Sequence, residues 1–420
     1  MSDSNHQLGG AMAWWVWTLA VTFVVYLFSF QTGYAIVNPS VQEELSLSVA
    51  KVGSIAAIYT WAFAICQFFG GALLDRLGAH KVLPISIGLV TLGIFIFANA
   101  NSFEMLLLSQ VVVAIGSCTG FVGAGYVGGQ WFGMAKFSLM FGLVQLMAAL
   151  TSAFSQNLIG VALDSMSWRT LFNYTAAFGI VLLVLGAIYI RNPAPVVSDN
   201  KGGIGEFFAS VVAGMIEVAK IGHVWMAAIT GALTFGALLA LGVVWMPKLL
   251  AVHGLSAGTA TLGASLLWLG LAAGSAVVPH LSDVLRKRKE LMVIGCIIQL
   301  LCMLALLYLG QLSATMALIL CFIFGFANAN HMLAFSTAAD VVKGHQIGTS
   351  AAIVNGIMFI VGGILLSRPG TRIGLGLEQG LEPKTLELAQ YAGLPITVAL
   401  VLSVVFAILM KETYPAKSDG

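Results

Sequence analysis

The sequence predicts an all-α membrane protein with twelve transmembrane helices. Hydrophobic residues make up 59% of its 420 residues and charged residues only 9%, whereas soluble domains typically have about 45–50% and 25%. Apolar runs of about 20 residues, the length that spans the hydrocarbon core as a helix, recur along the chain between polar or turn-forming breaks. We therefore expect lipid to be the solvent for most of this surface.

Twelve runs have the length of a membrane span. They fall at about residues 14–37, 53–74, 82–99, 104–127, 138–160, 170–190, 223–247, 258–281, 291–309, 313–337, 347–367 and 392–410. The longest polar break, Arg191 to Lys220, divides them six and six. We predict one six-helix bundle over residues 1–190, a cytoplasmic linker over 191–222 and a second six-helix bundle over 223–420.

The distribution of Lys and Arg predicts the orientation. If the N-terminus is inside, the loops on that side hold 13 of the 19 Lys and Arg residues. Cytoplasmic loops carry the excess of positive charge, so both termini are expected in the cytoplasm.

A weak internal repeat relates the two halves. The loop after the second run reads Gly71-Ala-Leu-Leu-Asp75-Arg76-Leu77-Gly78-Ala-His-Lys81. In the loop after the eighth run, Asp283 and Lys289 stand 208 residues beyond Asp75 and Lys81. Duplicated six-helix halves are one of the known transporter architectures, so the repeat predicts two pseudo-symmetric bundles.

The first copy of this loop resembles the signature G-x-L-x-D-R-x-G-x-[RK]-[RK] of the major facilitator superfamily. Shorter elements make the chain similar to the bacterial nutrient importers of that family: Trp131-Phe132, Trp168-Arg169 and the run from Gly348 to Gly356. The resemblance implies alternating access by rocking of the two bundles. It also implies a bacterial inner-membrane protein that works as a monomer, moving a small-molecule substrate.

The resemblance implies a conformational switch at Asp75, Arg76, Lys81 and, in the second copy, Asp283. A carboxylate at a helix end can bind the N-terminal dipole of a neighbouring helix or an arginine, contributing about 0.3–2 kcal/mol. A contact of this kind that exists in one conformation only biases the equilibrium between conformations. Alternatively, these charges are solvated and only set the topology.

Polar groups inside a membrane are costly unless they meet each other, water or substrate, so they indicate the solute pathway. In the resembling family, helices one, four, seven and ten line the central cavity. The candidates in this chain are Tyr26, Gln31, Tyr34, Gln110, Thr234, Asn330 and His331. Interhelical hydrogen bonds are the other explanation for each of them. His331, which lies well inside an apolar run, could bind substrate, relay a proton or be a neutral structural histidine.

Charge and motif content limit the possible functions. No Lys, Arg, Asp or Glu lies near the middle of a predicted span, which favours a neutral, zwitterionic or amide-bearing solute over an anion that needs a cationic clamp. Arg169, Arg368 and Arg372 could still receive an anion at the entrance. The net charge of +2 argues against nucleic-acid binding. No nucleotide loop, metal-ligand spacing or nucleophile with its base is present, so neither an enzyme nor a cofactor is expected.

Two departures from the family pattern bear on mechanism. Gln110 stands where helix four of many relatives carries an arginine, and helix five lacks the proline of the drug-exporter motif. We expect a secondary transporter that imports a small polar nutrient with protons. Two alternatives stay open: an exporter or siderophore carrier, and a scaffold or sensor that has kept the fold without transport.

Overall fold

The computed structural model describes residues 9–193 and 204–414, and all regular structure in these ranges is helical. Residues 194–203 of the predicted linker lie outside the described ranges. The helices are α1 (Gly10–Glu44), α2 (Val49–Leu77), α3 (Ala79–Ala98), α4 (Phe103–Ser117), α5 (Gly120–Phe132), α6 (Phe137–Leu163), α7 (Trp168–Tyr189), α8 (Ile204–Ala219), α9 (Gly222–Ala240), α10 (Met246–Val252), α11 (Ala257–Leu285), α12 (Lys289–Tyr308), α13 (Ala314–Asn328), α14 (Met332–Ala339), α15 (Ile347–Glu378) and α16 (Leu386–Leu409).

Twelve spans are found in the described part of the chain, which confirms the predicted number. They are numbered here in chain order. Spans 4, 7 and 10 each contain two α-helices, α4 with α5, α9 with α10, and α13 with α14. Each remaining span contains one α-helix, and in spans 5 and 11 a 3₁₀ turn precedes it. Helix α8 is shorter and precedes span 7.

Every even-numbered span begins with a serine or threonine N-cap. The side-chain oxygen accepts a hydrogen bond of 3.2 to 3.3 Å from the backbone N–H three residues later. The capping residues are Ser48, Ser102, Ser167, Ser256, Ser313 and Thr385. A hydroxyl here satisfies one of the N–H groups that the first turn leaves without a partner, which explains where these helices begin.

Three spans that the apolar pattern predicts as continuous are interrupted. Span 4 breaks at residues 118–119, span 7 contains a π-helical turn at Leu241–Trp245, and span 10 contains a 3₁₀ turn at Ala329–His331. Such interruptions inside long helices often mark functional positions. They also leave backbone polar groups available within the membrane, where that is tolerated only inside protein or beside water.

The chain divides into two compact units. The first comprises Met1–Met140, Thr151–Val218 and Lys343–Ala352, and the second comprises Phe141–Leu150, Ala219–Val342 and Ile353–Gly420. A short part of span 5 is thus grouped with the second unit, and the start of span 11 with the first. The bundle limits 1–190 and 223–420 stay predictions.

An aromatic cluster forms the core of the first unit. Phe30, Phe97 and Phe172 are at most 1% exposed, and their ring centroids lie 5.2 to 5.5 Å apart at steep angles. Edge-to-face pairs of this kind contribute about 0.5–1.5 kcal/mol beyond their burial. The cluster therefore fixes spans 1, 3 and 6 against each other.

Close backbone contact holds spans 8 and 10 together in the second unit. A Cβ added to Gly270, Gly274 or Gly325 would lie 2.0 to 2.3 Å from a carbonyl oxygen of the facing helix. Small residues let membrane helices approach to van der Waals contact, which replaces the hydrophobic driving force that lipid cannot supply.

We predict that Gly325→Ala destabilises the protein by roughly 1–3 kcal/mol, because the new methyl must push apart two packed helices. Gly363→Ala is the matched control, since nothing lies within 4 Å of a Cβ there. Thermal unfolding in detergent measures both. Equal unfolding midpoints for the two variants would contradict the close contact.

Candidate functional site

Asp75 binds the N-terminus of α15. Its Oδ1 accepts a hydrogen bond from the Gly348 N–H at 2.8 Å, and its Oδ2 accepts from the N–H and the hydroxyl of Thr349, both at 2.7 Å. The carboxylate is 8% exposed. It thus satisfies N–H groups that the first turn of α15 cannot pair internally, and it meets the positive end of the helix dipole. We call this contact the Asp75 clasp.

Glycines make the Asp75 clasp sterically possible. Gly71 lies one turn before Asp75 on α2, and a Cβ at Gly71 would lie 1.9 Å from the Gly348 carbonyl oxygen. A Cβ at Gly348 would lie 2.7 Å from the Gly71 carbonyl oxygen. The absence of both side chains lets the two backbones touch, which brings the carboxylate within hydrogen-bond distance.

The other predicted switch residues of the first loop lie apart from this contact. Arg76 donates a hydrogen bond to the Ser210 carbonyl of α8, and Lys81 is exposed. Lys343, just before α15, pairs at 3.3 Å with Glu217 near the C-terminal end of α8. Both ends of the Asp75 clasp therefore have a neighbouring cation that contacts α8.

In the second copy of the loop, Asp283 accepts a 2.6 Å hydrogen bond from Arg288. Arg288 is 1% exposed and also donates from Nε to Asp340 at 3.2 Å. Its guanidinium lies 4.7 Å from the centre of the Tyr414 ring. The predicted switch aspartate is thus part of a buried ion cluster, one cation between two carboxylates.

Glu412, just after the last span, completes this cluster. Its carboxylate accepts hydrogen bonds of 3.0 to 3.1 Å from the backbone N–H groups of Arg288 and Lys289, at the start of α12. Thr413 donates its hydroxyl to Asp340 at 3.2 Å. As in the Asp75 clasp, a carboxylate from a distant segment accepts hydrogen bonds from the N-terminus of a helix.

Burial raises the pKa of the Asp340 carboxyl to about 6, and the charge of Arg288 opposes this shift. Arg288, Asp340 and Glu412 are not among the switch residues that the sequence predicts. The available signal was an acidic residue directly after spans 10 and 12. Their meeting at Arg288 depends on tertiary contacts.

Arg169, considered above for an anion at the entrance, makes structural contacts. It donates to the carbonyls of Ala98 and Ala100 at 2.9 and 2.7 Å and to Glu44 at 2.7 Å. Trp168 donates to the same carboxylate at 2.6 Å. The hydrogen bond from Arg169 holds the pKa of the Glu44 carboxyl below its ordinary value. These bonds tie the end of α1 to spans 3 and 6.

His331 lies in the 3₁₀ turn that interrupts span 10 and is 2% exposed. Its Nδ1 is 2.6 Å from the Asn328 carbonyl, and its ring centre is 4.8 Å from that of Phe235 in span 7. Asn328 donates to the Thr234 carbonyl at 2.7 Å. The structure therefore brings His331 and Thr234 into one small polar cluster between the interrupted spans of the second unit.

The remaining predicted pathway residues make different contacts. Asn330 donates to the Met292 carbonyl at 3.1 Å, and therefore ties span 10 to span 9. Tyr26 donates to Thr91 and Tyr34 to the Val52 carbonyl, each at 3.3 Å. Gln31 is half-buried. For Asn330, Tyr26 and Tyr34 these bonds are the interhelical contacts that the sequence left open as an alternative.

Several buried amides keep a polar atom without a protein partner. Gln110 Nε2 has none, nor have Asn328 Oδ1 and Asn330 Oδ1. Gln299 in span 9, which we did not select, has neither side-chain atom paired and is fully buried. A buried amide in this condition needs water or a ligand. Gln299 was detectable in the sequence as one glutamine in an apolar run.

Twelve spans define a polytopic membrane protein, and the second unit has a polar cluster where span 10 is interrupted. The family model of the Major Facilitator Superfamily matches residues 18–367. The chain belongs to that superfamily, whose members are transporters and not enzymes, and it is an integral membrane protein.

Solved structures of the same fold cover nearly the whole chain. The human organic anion transporter MFSD10 superposes with a TM-score of 0.73 at 12% identity, over 95% of this chain and 100% of that one. The fucose:proton symporter FucP of E. coli superposes with a TM-score of 0.69 at 17% identity, over 94% and 98%. This likeness shows the twelve-helix fold.

Curated relatives match over shorter stretches. The probable galactarate/D-glucarate transporter GudP of Bacillus subtilis is 28% identical over 178 residues, 40% of this chain and 38% of its own. The hexuronate transporter of the same organism is 24% identical over 161 residues, 38% of each chain. The chain thus matches about two-fifths of the length of these relatives.

We predict that Asp75→Asn lowers the transport rate much more than the apparent affinity for the solute. The amide loses the charge and one of the two acceptor oxygens, weakening the Asp75 clasp by about 0.3–2 kcal/mol. Transport kinetics in vesicles provide the measurement. Thr349→Ser, which keeps the hydroxyl, is the control for Thr349→Val, which removes one of the three bonds. Unchanged turnover in both Asp75→Asn and Thr349→Val would rule out a switch role.

We predict that Arg288→Gln lowers the free energy of unfolding by about 3–5 kcal/mol, because it leaves Asp283 and Asp340 without their buried cation. Adding Asp340→Asn should recover part of this loss, since one unpaired charge is removed. Thermal unfolding of the two single variants and the double variant gives the coupling. Additive losses would mean that the two side chains do not interact.

Proposed function

We propose that this protein is a secondary active transporter that takes up a small polar solute together with protons across the bacterial inner membrane. The Asp75 clasp carries this proposal. It holds the first residues of α15, which group with the first unit, whereas residues 353–378 of the same helix group with the second. Forming and breaking the clasp would bias an alternating-access cycle, because the contact contributes free energy in one state only.

Buried neutral polar groups support a hydroxylated solute. Gln110, Asn328 and Asn330 each have an unpaired amide atom, and the sequence lacks charges near the middle of its predicted spans. The relatives named above are a probable galactarate/D-glucarate transporter and a hexuronate transporter, and FucP is a fucose:proton symporter. A chain of hydroxyl groups is common to those solutes. We propose a sugar or sugar acid as substrate, and the absence of a deep cation favours the neutral sugar.

His331 supports proton coupling. It is the buried titratable group of the cluster with Asn328 and Thr234, and it sits at the interruption of span 10. Imidazole is the side chain whose charge changes most readily near neutral pH. In this proposal His331 takes up a proton with the solute and releases it on the cytoplasmic side.

Export is the second candidate. The quinolone resistance protein NorA of Staphylococcus aureus is 27% identical over 175 residues, 41% of this chain and 44% of its own. An exporter would bind larger and more apolar solutes than the amide groups described here favour. Direction of transport separates the two candidates.

Uptake by right-side-out vesicles tests the proposal. We expect accumulation of a radiolabelled sugar or sugar acid from a panel, competition by the unlabelled solute, and collapse of accumulation when an uncoupler dissipates the proton gradient. Solute that leaves preloaded vesicles against its gradient would favour export. No movement of any solute in the panel, by protein that is folded and inserted, would favour the scaffold alternative.

His331→Gln should abolish proton-driven accumulation while leaving solute exchange across the membrane, because glutamine can hydrogen-bond but cannot carry a proton at neutral pH. His280→Gln is the control, since His280 is exposed at the end of α11. The ratio of uphill uptake to exchange gives the readout. Wild-type accumulation in His331→Gln would exclude His331 as the proton carrier.

A further inference from the structure

A cavity of about 410 Å³ opens in the second unit, away from the Arg288 cluster. Arg288 precedes α12, whereas Met303 and Leu307, near the far end of α12, line the cavity. The other walls are the π-helical turn and α10 of span 7, the last turns of α15 and the first turns of α16 with the residues just before it. Its volume lies within the roughly 300–1,000 Å³ of small-molecule sites.

Two irregularities shape this cavity. The π-helical turn at Leu241–Trp245 widens span 7, and Pro369 interrupts the hydrogen bonding of α15, since proline lacks the N–H of an ordinary residue. Trp245 joins the two, because its Nε1 donates to the Leu366 carbonyl at 2.8 Å. The cavity is therefore built into the fold at a fixed place between spans 7 and 11.

The walls are apolar and the charged lining residues are cations. Lys248 and Lys384 are the charged residues among those that line the cavity, and Thr385 is the one hydroxyl. Glu382 and Glu387 are close in sequence but are not part of the wall. The lining thus suits an apolar ligand with a negatively charged group. The deep neutral amides proposed for the transported solute are not found here.

Charge and apolar surface are separated along the helices. Lys384 stands two residues before α16, whereas Ile396, on the cavity wall, lies ten residues beyond Leu386, the first residue of that helix, or about 15 Å along it. Lys248 is likewise seven residues from Leu241 on span 7, about 10 Å. The cations therefore sit at the helix ends, where lipid head groups lie, and the apolar wall extends toward the bilayer centre.

Backbone conformation positions Lys384, and a contact with the Trp245 ring positions Lys248. Lys384 has a φ of 62°, in the left-handed region that is uncommon for residues other than glycine, between Pro383 and the N-cap Thr385. The Lys248 ammonium lies 4.4 Å from the centre of the Trp245 ring. Both cations are thus attached to the structural elements that form the cavity.

We propose that this cavity binds an anionic phospholipid of the surrounding bilayer, with one acyl chain against the apolar wall and the phosphate at Lys248 and Lys384. A lipid is the expected occupant because the protein lies in a bilayer. The negative charge of the head group matches the two lysines at the rim, and an acyl chain matches the apolar wall that extends toward the bilayer centre. Bound there, the lipid contacts span 7 at its π-helical turn and span 11 at Pro369.

Fluorescence quenching of Trp245 by lipids with brominated acyl chains tests this proposal. The protein is reconstituted into vesicles of phosphatidylcholine that contain either brominated phosphatidylglycerol or brominated phosphatidylcholine. The Trp245 signal is the difference between the wild-type protein and Trp245→Phe. We expect the anionic lipid to quench this signal several-fold more than the zwitterionic lipid at equal bromine content.

Variants separate this site from general contact with lipid. Ala389→Phe fills the cavity and should remove the preference for phosphatidylglycerol, as should the double variant Lys248→Gln, Lys384→Gln. Val401→Phe is the control for Ala389→Phe, because Val401 is 44% exposed on the same helix away from the cavity, and the preference should persist.

A second measurement does not depend on the tryptophan variant. Native mass spectrometry of detergent-purified protein should show retained phosphatidylglycerol in the wild-type protein and in Val401→Phe, and at least several-fold less in Ala389→Phe. Equal quenching by both lipids, or retention that Ala389→Phe leaves unchanged, would overturn the proposal. So would displacement of the lipid by a transported sugar, since the cavity would then belong to the solute pathway.

Discussion

The first turn of a helix leaves backbone N–H groups without partners, and near lipid this is costly. The even-numbered spans satisfy such groups locally, with a serine or threonine. α15 and α12 instead receive a carboxylate from far along the chain, Asp75 in one case and Glu412 in the other. The same hydrogen bonds that complete a helix therefore also join distant segments. Loss of either carboxylate would both expose N–H groups and release a tertiary contact.

The proposed solute groups and the structural polar groups can be told apart by their hydrogen bonds. Tyr26 and Tyr34 each donate to a neighbouring helix, whereas Gln110 and Gln299 keep amide atoms unpaired in the buried interior. Asn330 does both, since its Nδ2 donates to span 9 and its Oδ1 is unpaired. His331 has a structural contact as well as its proposed role in transport, since one of its ring nitrogens meets the Asn328 carbonyl. The contact of His331 lies at the interruption of span 10, where its ring nitrogen meets the carbonyl three residues earlier in the same span.

The sequence predicted the number and order of the spans because apolar length is a local property. It placed span 11 at 347–367, whereas α15 continues through Arg368 and Pro369 to Glu378. It also missed the π-helical and 3₁₀ turns, since their residues are as apolar as their surroundings. The sequence could not predict the Arg288 cluster, for a different reason. Its partners Asp340 and Glu412 are 52 and 124 residues away in sequence, and no local pattern records that they meet.

The length of α1 has a practical consequence for imaging. Its 35 residues extend about 52 Å, whereas the hydrocarbon core is about 30 Å thick. The end of α1 at Glu44 is held by Trp168 and Arg169 through bonds of 2.6 and 2.7 Å. The helix is longer than the hydrocarbon core is thick, and its C-terminal end is held by hydrogen bonds. A fiducial domain inserted in the turn before Ser48 would therefore have a rigid attachment point. Particle alignment by electron cryomicroscopy would then not depend on features inside the detergent belt.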